Sequence, residues 1–297
     1  MSKILLLGGC NVDYIATSTA PLIMKSSNIG KVSISFGGVM RNVVENLARL
    51  GNECYFLTAI GNDAYGKKMK NELEKTLKVH LLMPKTNKKT SSYLCINDSN
   101  NDMAVALNDM KIMDDLNAQF LKTNKNLIDS FEKIVIDSNL SEEALEFLFK
   151  NFKDKKIYCE GISAEKVIKY RPYLKNIYLL KCNFYEASAL INKNLPIKEI
   201  IEEIKNSGVK NCVITQGAED VFYLDNGEIS SYKVNKISKI NGNTTGCGDA
   251  MFAGIIDSLF DNKSLKEAIE FGNKLSVLTL ETTSAVNKFV GKVKNYK

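Results

Sequence analysis

Short apolar runs alternate with segments of helical periodicity along most of the chain, and this alternation restricts the fold more than any other feature. The run KILLLGG at residues 3–9 is apolar up to its glycines, which favours a strand buried on both faces. The segment VMRNVVENLARLG at residues 39–51 has apolar residues at helical spacing and ends in Gly51, a signal for the end of a helix. Later segments such as KIVID and NCVIT, at residues 133–137 and 211–215, continue the alternation. The pattern predicts a doubly wound α/β sheet with right-handed crossovers.

Two segments, at residues of about 14–37 and 90–107, depart from this alternation. Both have β-like polar alternation and neither has a helical stripe. Because ligands bind at the carboxyl ends of strands in open α/β sheets, segments inserted there are natural lids. We therefore expect one domain over residues 1–297 with a small β-lid. Thr90, Ser91 and Tyr93 are candidates for ligand contacts by position only, and core packing or lid structure explains them equally well.

Composition excludes several classes of protein. The chain has 297 residues, no apolar run long enough to span a membrane, and a start that lacks a signal-peptide cleavage pattern, so we expect a cytoplasmic protein without a membrane partner. Its seven cysteines are dispersed and its one histidine is His80, which argues against a zinc site and for a reducing compartment. The net charge of +6 comes from lysines spread among acidic residues, so we expect no nucleic-acid partner.

Polar residues follow the first predicted strand and precede the first predicted helix. Asp13 lies in GGCNVD, just after the first strand, where a loop aspartate is the simpler alternative. The Gly37–Gly38 pair opens the helix that carries Arg41 and Asn42, and such a pair lets the backbone approach a ligand closely. The Asn42 amide suits recognition of hydroxyl groups, although a plain turn before a helix explains this motif equally well. We expect Arg41 on the surface of the helix, with anion binding beside the turn as the alternative.

Further candidates follow the middle strands. Asn139 ends a buried strand in IDSNLS, and the next serine looks like a helix N-cap. In LLKCNFYEASAL, Asn183 and Glu186 are three residues apart at a helix start and so share one face. An amide and a carboxylate there could hold a hydrated magnesium ion against phosphate oxygens, and helix capping is the alternative. In VITQG, Thr215 and Gly217 suit contacts to a nucleotide, but a simple exit from the strand explains them equally well.

The stretch NGNTTGCGDAMFAG, at residues 241–254, joins a glycine-rich turn to an apolar helical pattern. Read alone, it is either a phosphate-binding turn with a base or a flexible loop before a helix with an acidic first turn. The backbone N–H groups of Gly246, Cys247 and Gly248 open the helix, where they can stabilise phosphate charge. Asp249 follows within the same turn and can accept a proton from an attacking hydroxyl group. An ordinary carboxyl pKa is sufficient for that role.

The two glycine-rich motifs, GGVMRNVVENLARLG and NTTGCGDAMFAG, resemble those of the ribokinase-like, or PfkB, family of sugar and nucleoside kinases. The segments GGCNVD, CNFYEA and VITQG occur in the family's order, so the resemblance spans nearly the whole chain. It implies a three-layer α/β/α sandwich with a mainly parallel sheet and a β-lid. Within the family, the chain looks most like the pseudouridine kinases. Four features carry this resemblance: Arg41 in GGVxRN, the segment ending in Asp109–Met110, DSNLS and SVLTLETTSAVN.

The resemblance implies an ATP-dependent kinase acting on the 5′-hydroxyl of pseudouridine, in which Asp249 is the catalytic base beside the 246–248 turn. Asp13, Gly38 and Asn42 would hold the ribose hydroxyls, with Asn139 along the same pocket. Asn183 matches the family's N-x-x-E element together with Glu186, whose carboxylate orders Mg²⁺ mainly through water. The nucleotide side would be formed by Thr215, Gly217 and Asn273. Lid segments of this family often pair between subunits, which implies a homodimer.

Two residues depart from the family pattern. Many members have aspartate at the position of Asn243, where it helps to bind a monovalent cation, so potassium dependence stays open. Many have alanine at the position of Cys247, and a thiol at a helix N-terminus is expected to have a lowered pKa and to react with alkylating agents.

Other functions remain as alternatives. Another nucleoside or a ribose-type sugar is the main alternative substrate. A non-catalytic sugar or nucleotide sensor on the same fold is disfavoured, because TGCGD retains Asp249. A dinucleotide-binding oxidoreductase is disfavoured because LLLGGCNVD lacks the G-x-G-x-x-G spacing.

Overall fold

The computed structural model describes residues 2–234 and 244–293. The strands are β1 (Lys3–Leu7), β2 (Asn11–Ser18), β3 (Gly30–Gly37), β4 (Glu53–Leu57), β5 (His80–Leu82), β6 (Ser92–Asn97), β7 (Met103–Asp109), β8 (Lys133–Asp137), β9 (Lys156–Glu160), β10 (Leu179–Asn183), β11 (Cys212–Thr215), β12 (Val221–Asp225) and β13 (Glu228–Tyr232).

The helices are α1 (Val39–Arg49), α2 (Ala64–Asn71), α3 (Ala118–Thr123), α4 (Lys125–Asp129), α5 (Glu142–Asn151), α6 (Ala164–Val167), α7 (Phe184–Ile191), α8 (Ile197–Asn206), α9 (Cys247–Phe260), α10 (Leu265–Thr279) and α11 (Val290–Val293). A π-helical turn, Glu72–Thr76, extends α2, and two 3₁₀ segments span Lys111–Asp115 and Ile168–Asn176. None of the helices in the described ranges is long and apolar enough to cross a membrane.

Nine strands form one sheet in the order β13-β12-β11-β10-β9-β8-β1-β4-β5. The strands from β11 to β5 in this order are parallel, and β12 and β13 form an antiparallel edge. This arrangement confirms the predicted mainly parallel sheet. The strand β1 lies between β4 and β8, so the chain order reverses beside it, and such a switch point opens a crevice at the carboxyl ends of the strands.

The core lies on both faces of this sheet. Side chains alternate along β1, so Leu5 and Leu7 enter one apolar cluster while Ile4 and Leu6 enter the other. Helices α5, α7 and α8 cover the first face, and α1, α9 and α10 cover the second. A strand covered on both faces must be apolar at every position, which is why KILLLGG has no polar alternation. The three layers are those of the predicted α/β/α sandwich.

A second sheet of four strands, in the order β3-β2-β6-β7, forms the β-lid. Cross-strand pairing places Tyr14, Ile34, Leu94 and Leu107 on one face of the lid. Asp13 is paired with Ser35 and Tyr93, and this row lies on the opposite, more polar face. The lid strands begin and end within a few residues of the predicted segments.

Candidate active site

Helix α9 begins at the carboxyl edge of the main sheet with Gly246 as its N-cap. Gly246 has a φ of 81°, which favours glycine, and a Cβ there would lie 2.7 Å from the carbonyl carbon of Ala285. The turn is therefore both left-handed and closely packed. A helix of 14 residues that starts at such a turn presents its first N–H groups and the positive end of its dipole to an anion. One of these groups, the Cys247 N–H, also donates a hydrogen bond of 3.3 Å to the carbonyl oxygen of Thr244.

Asp249 lies half-buried in the first turn of α9 and meets α1 across the crevice. Its Oδ2 accepts a hydrogen bond of 2.8 Å from Nδ2 of Asn42. Burial raises the pKa of the Asp249 carboxyl to about 6, against the hydrogen bond from Asn42 and the charge of Lys181. A carboxylate with this pKa is a stronger base than an ordinary aspartate and is still ionised near neutral pH. The pKa is thus higher than the sequence argument required.

The glycines before α1 bring the lid strand β2 close to the core. Gly38 has a φ of 99°, and a Cβ there would lie 2.6 Å from Cα of Cys10. At Gly37 a Cβ would collide with the Asp13 carboxylate, so only glycine leaves room for that side chain. Burial raises the pKa of the Asp13 carboxyl to about 6, and its donor Asn11 opposes the rise. Asp13, Gly38 and Asn42 therefore line one side of the crevice that Asp249 closes.

The prediction that Arg41 lies on the helix surface is wrong, because its side chain is 5% exposed. Its Nη1 forms an ion pair of 2.6 Å with Glu45, and its Nη2 lies 3.4 Å from Glu72 in the π-helical turn. Nη1 also donates to Oδ1 of Asn42 over 3.3 Å, which turns the Nδ2 of Asn42 toward Asp249. The surface prediction failed because α1 packs against the extension of α2 on this side.

Asn139 lies at the end of β8 against the Gly9 backbone. Its backbone N–H and Nδ2 donate to the Asp137 carboxylate over 2.9 and 3.2 Å, and its Oδ1 accepts a 2.7 Å bond from Lys166. Asp137 also accepts the N–H of Gly9 over 3.0 Å. These contacts join the ends of β1 and β8, so the Asn139 side chain has a structural function beside the crevice.

Asn183 and Glu186 form a capping box at the start of α7, so the capping alternative is confirmed. Oδ1 of Asn183 accepts the Glu186 N–H over 2.9 Å, and Glu186 Oε2 accepts the Asn183 N–H over 2.9 Å. The remaining oxygen, Oε1, accepts a 2.6 Å bond from Nδ2 of Asn183. In residues 2–234 and 244–293 there is no group of three or more acidic, histidine or cysteine side chains placed to hold a metal ion directly.

Of the residues predicted for the nucleotide side, Thr215 and Gly217 lie at this edge of the sheet and Asn273 lies on α10. Thr215 ends β11 and is paired in register with Asn183 on β10, and the exposed Gly217 follows with a φ of 58°. Asn273 is half-buried on α10, which packs closely on α9 where Gly254 meets Gly272. Asn243, the position of the cation prediction, lies outside the described residues.

Cys247 is half-buried, and the expectation of a lowered thiol pKa is wrong. Burial and the charge of Asp249 raise the pKa of Cys247, although Ser276 opposes the rise. The other six cysteines are buried, and all seven are free.

Two charged residues of this site were missed by the sequence analysis. Glu160 ends β9 and is paired in register with Lys181 on the neighbouring strand β10. Both side chains are almost fully buried, and they form an ion pair of 2.7 Å. A Cβ at Gly248 would lie 3.1 Å from Nζ of Lys181, so the ammonium group lies directly under the start of α9. The available signal was a charge at the end of each apolar strand, in IYLLK and KIYCE. The lid candidates also separate, because Thr90 and Ser91 are buried whereas Tyr93 lies on the Asp13 face.

Comparison with known proteins identifies the family of this chain. The model of the pfkB family of carbohydrate kinases matches residues 1–290. A pseudouridine kinase of Escherichia coli (strain K12) is 33% identical over 288 residues, which cover 93% of this chain and 90% of that protein. A guanosine-inosine kinase of Exiguobacterium acetylicum is 26% identical over 295 residues, covering 95% and 96%. A ribokinase structure from Thermotoga maritima superposes with a TM-score of 0.86 at 17% identity, covering 99% of each chain.

The fold is therefore ribokinase-like, and the glycine turn that opens α9 lies at the carboxyl edge of the sheet. The chain belongs to the pfkB family of carbohydrate kinases. It is accordingly a phosphotransferase with an alcohol group as acceptor, and its similarity to a pseudouridine kinase is moderate.

Proposed function

We propose that this protein transfers the γ-phosphoryl group of ATP to the 5′-hydroxyl of pseudouridine, giving pseudouridine 5′-phosphate. The observation that carries the proposal is the Asn42–Asp249 contact of 2.8 Å at the start of α9, where a carboxylate lies beside the glycine turn that opens the helix. The pseudouridine assignment is supported by the 33% identity to a pseudouridine kinase and by the buried Arg41 next to Asn42. The free, mostly buried cysteines support a place in the cytoplasm.

In this proposal, Asp249 accepts the proton of the attacking hydroxyl, and the N–H groups of residues 246–248 stabilise charge on the transferred phosphoryl group. Asp13, Gly38 and Asn42 bind the ribose hydroxyls, with Asn139 shaping the same side of the pocket. The nucleotide is held by Asn183, Thr215, Gly217 and Asn273. Phosphoryl transfer depends mainly on such positioning and charge stabilisation, because it requires little covalent help from the protein.

We propose Mg²⁺ as the companion of ATP, with Glu186 acting through water. Both oxygens of Glu186 already accept hydrogen bonds from Asn183, which fits a hydrated ion better than direct coordination. Three carboxylates, those of Glu160, Glu186 and Asp249, act on the single ammonium of Lys181, so the pocket favours a divalent cation. When bound, that cation would neutralise charge on the phosphates.

The substrate proposal is tested with pseudouridine, uridine, adenosine and ribose, each with ATP and Mg²⁺, by measuring ADP release. We expect the highest kcat/KM for pseudouridine. A higher kcat/KM for any of the other three would replace pseudouridine with that acceptor but keep the kinase assignment. ADP release with none of the four acceptors would contradict a kinase for nucleosides or ribose and would favour the sensor alternative.

We also propose a homodimer formed through the apolar face of the lid. Ile34 and Leu94 are 46% and 38% exposed, and Leu107 on the edge strand β7 is 66% exposed. Val32 and Val105 extend the same face and are 68% and 50% exposed. A contiguous exposed apolar surface of this kind is typical of an interface, because isolated proteins rarely leave one in water.

Light scattering after size exclusion tests the dimer. We expect the wild-type mass to be twice 33.1 kDa and the Leu107→Lys variant to approach 33.1 kDa, because a lysine would be buried without a partner. Phe289→Lys, at a site that is 60% exposed and away from the lid, is the matched control and should stay dimeric. A monomeric wild type would refute the interface.

A further inference from the structure

The buried ion pair of Glu160 and Lys181 lowers the stability of the fold through the desolvation of two charged groups. Both side chains are about 95% removed from solvent, with exposed fractions of 4% and 5%. Taking two charges out of water costs more than an average ion pair returns, unless further hydrogen bonds satisfy both groups. Here Glu160 Oε2 is buried without a hydrogen-bond partner among the described residues. Because one carboxylate oxygen of the pair lacks a hydrogen bond, a contribution to stability alone does not account for the pair.

The ammonium group of Lys181 has N–H donors without a hydrogen-bond partner among the described residues, and it lies beside the turn proposed for phosphoryl transfer. Within residues 2–234 and 244–293, Glu160 Oε1 is its one hydrogen-bond partner, at 2.7 Å, whereas an ammonium has three N–H donors. Nζ lies under Gly248 in the turn that opens α9. The carboxylates of Glu160 and Glu186 raise the pKa of Lys181 although burial opposes it, so the side chain stays charged.

The loop that follows Glu160 is held in a strained conformation. Ile162 has a φ of 67°, a left-handed conformation that β-branched residues rarely adopt. The carbonyl oxygen of Gly161 accepts hydrogen bonds from the Ser138 hydroxyl and the Ser163 N–H, which hold the turn. Gly161 itself has no room for a Cβ, which would lie 2.6 Å from Glu186 Oε2. Strain of this kind gathers at functional sites, where neighbouring contacts keep it in place.

We propose that Lys181 is a catalytic residue that donates hydrogen bonds to the transferred phosphoryl group, and that Glu160 is the positioning residue that holds Lys181 there. The inference rests on the proposed kinase function but not on which alcohol is the acceptor. In the step, the acceptor oxygen forms a bond to the γ-phosphorus while the bond from that phosphorus to the β–γ bridging oxygen breaks. The bonding pair leaves with ADP, and the hydroxyl proton goes to Asp249. Lys181 keeps its proton and stabilises the equatorial oxygens.

A pair of variants separates this function from ion pairing alone. Lys181→Met leaves Glu160 buried and unpaired, so both the melting temperature and kcat should fall. Glu160→Met combined with Lys181→Met removes both charges, and such replacements of a buried pair are often neutral for stability. We expect the double variant to regain the wild-type melting temperature but to keep a kcat about 10²-fold low, as for loss of one transition-state donor.

Calorimetry gives a readout that is independent of turnover. With Mg²⁺ present, we expect the double variant to lose about tenfold in affinity for the non-hydrolysable analogue AMP-PNP while its affinity for ADP stays unchanged, because Lys181 acts on the γ-phosphate. Wild-type kcat in a folded double variant, or equal losses for AMP-PNP and ADP, would overturn the proposal.

The isosteric variant Glu160→Gln keeps the proposal testable if the double variant does not fold. It retains an acceptor for Lys181 but removes the charge, so kcat should fall with the KM for the acceptor unchanged. An unchanged kcat would overturn the positioning function of Glu160. Each assay uses the best acceptor of the wild-type panel, so an error in the pseudouridine assignment shows in the wild type and an error about Lys181 shows only in the variants.

Discussion

Asp249→Asn is expected to lower kcat by about 10²–10⁴-fold, the range that general-base catalysis contributes. The asparagine keeps the shape of the side chain but cannot accept the hydroxyl proton. Binding of the nucleoside should remain detectable, because Asp13, Gly38 and the Asn42 amide are unchanged. Steady-state ADP release and calorimetric binding of the nucleoside measure the two quantities.

The pH dependence of kcat tests the same residue. Because the pKa of Asp249 is raised to about 6 and only the ionised carboxylate accepts a proton, wild-type kcat should fall as the pH decreases through about 6. Above that pH, kcat should be level with respect to this group. The Asp249→Asn variant should lack this decrease of kcat at low pH. Near-normal turnover by that variant would contradict the assignment of Asp249 as the catalytic base.

Asp154→Asn is the matched control for Asp249→Asn. Asp154 is 76% exposed and far from the α9 turn in sequence and topology, so the same chemical change there should leave kcat and its pH profile unchanged. A loss of activity in both variants would indicate a general effect of the lost carboxylate rather than loss of a base.

Gly246→Ala is expected to lower both stability and kcat. An alanine at a φ of 81° costs about 1–2 kcal/mol in backbone strain, and its Cβ would also press against the Ala285 backbone. Relief requires the start of α9 to move, and a displacement of about 1 Å at a catalytic group can lower the rate on the order of 10²-fold. Thermal unfolding and ADP release measure the two effects.

Gly227→Ala provides the control that separates strain from collision. Gly227 has a similar φ of 88°, but a Cβ there meets nothing within 4 Å. We expect the strain to lower the melting temperature while kcat stays at the wild-type value. If Gly246→Ala behaved like Gly227→Ala, the close packing of the α9 turn would have no function in catalysis.

Much of the fold followed from local patterns. KILLLGG predicted a strand buried on both faces, and β1 is that strand because helices cover the sheet on both sides. The polar alternation near residues 14–37 and 90–107 predicted the lid, since successive side chains of a strand point to opposite faces and this sheet has one apolar and one more polar face. The helix at VMRNVVENLARLG ends as its Gly51 indicated.

The site was less predictable where its contacts are long-range. Asn42 and Asp249 were found as separate candidates, but their contact joins residues 207 positions apart. Arg41 was misplaced because the helical pattern of α1 does not show that Glu72 packs against its polar side. Glu160 and Lys181 were missed because single charges at strand ends resemble ordinary exits to solvent.

The amino-acid sequence by itself determined the secondary structure, the layers and the glycine turns, because propensity, hydrophobic period and positive φ act within a few residues. Only the tertiary structure decided which polar groups meet and how strongly they are buried. It paired Asn42 with Asp249, raised the pKa of that carboxyl by burial, and placed Lys181 beneath Gly248. Burial and the distances between charges depend on strands that crossover connections bring together, so no local segment of the sequence predicts them.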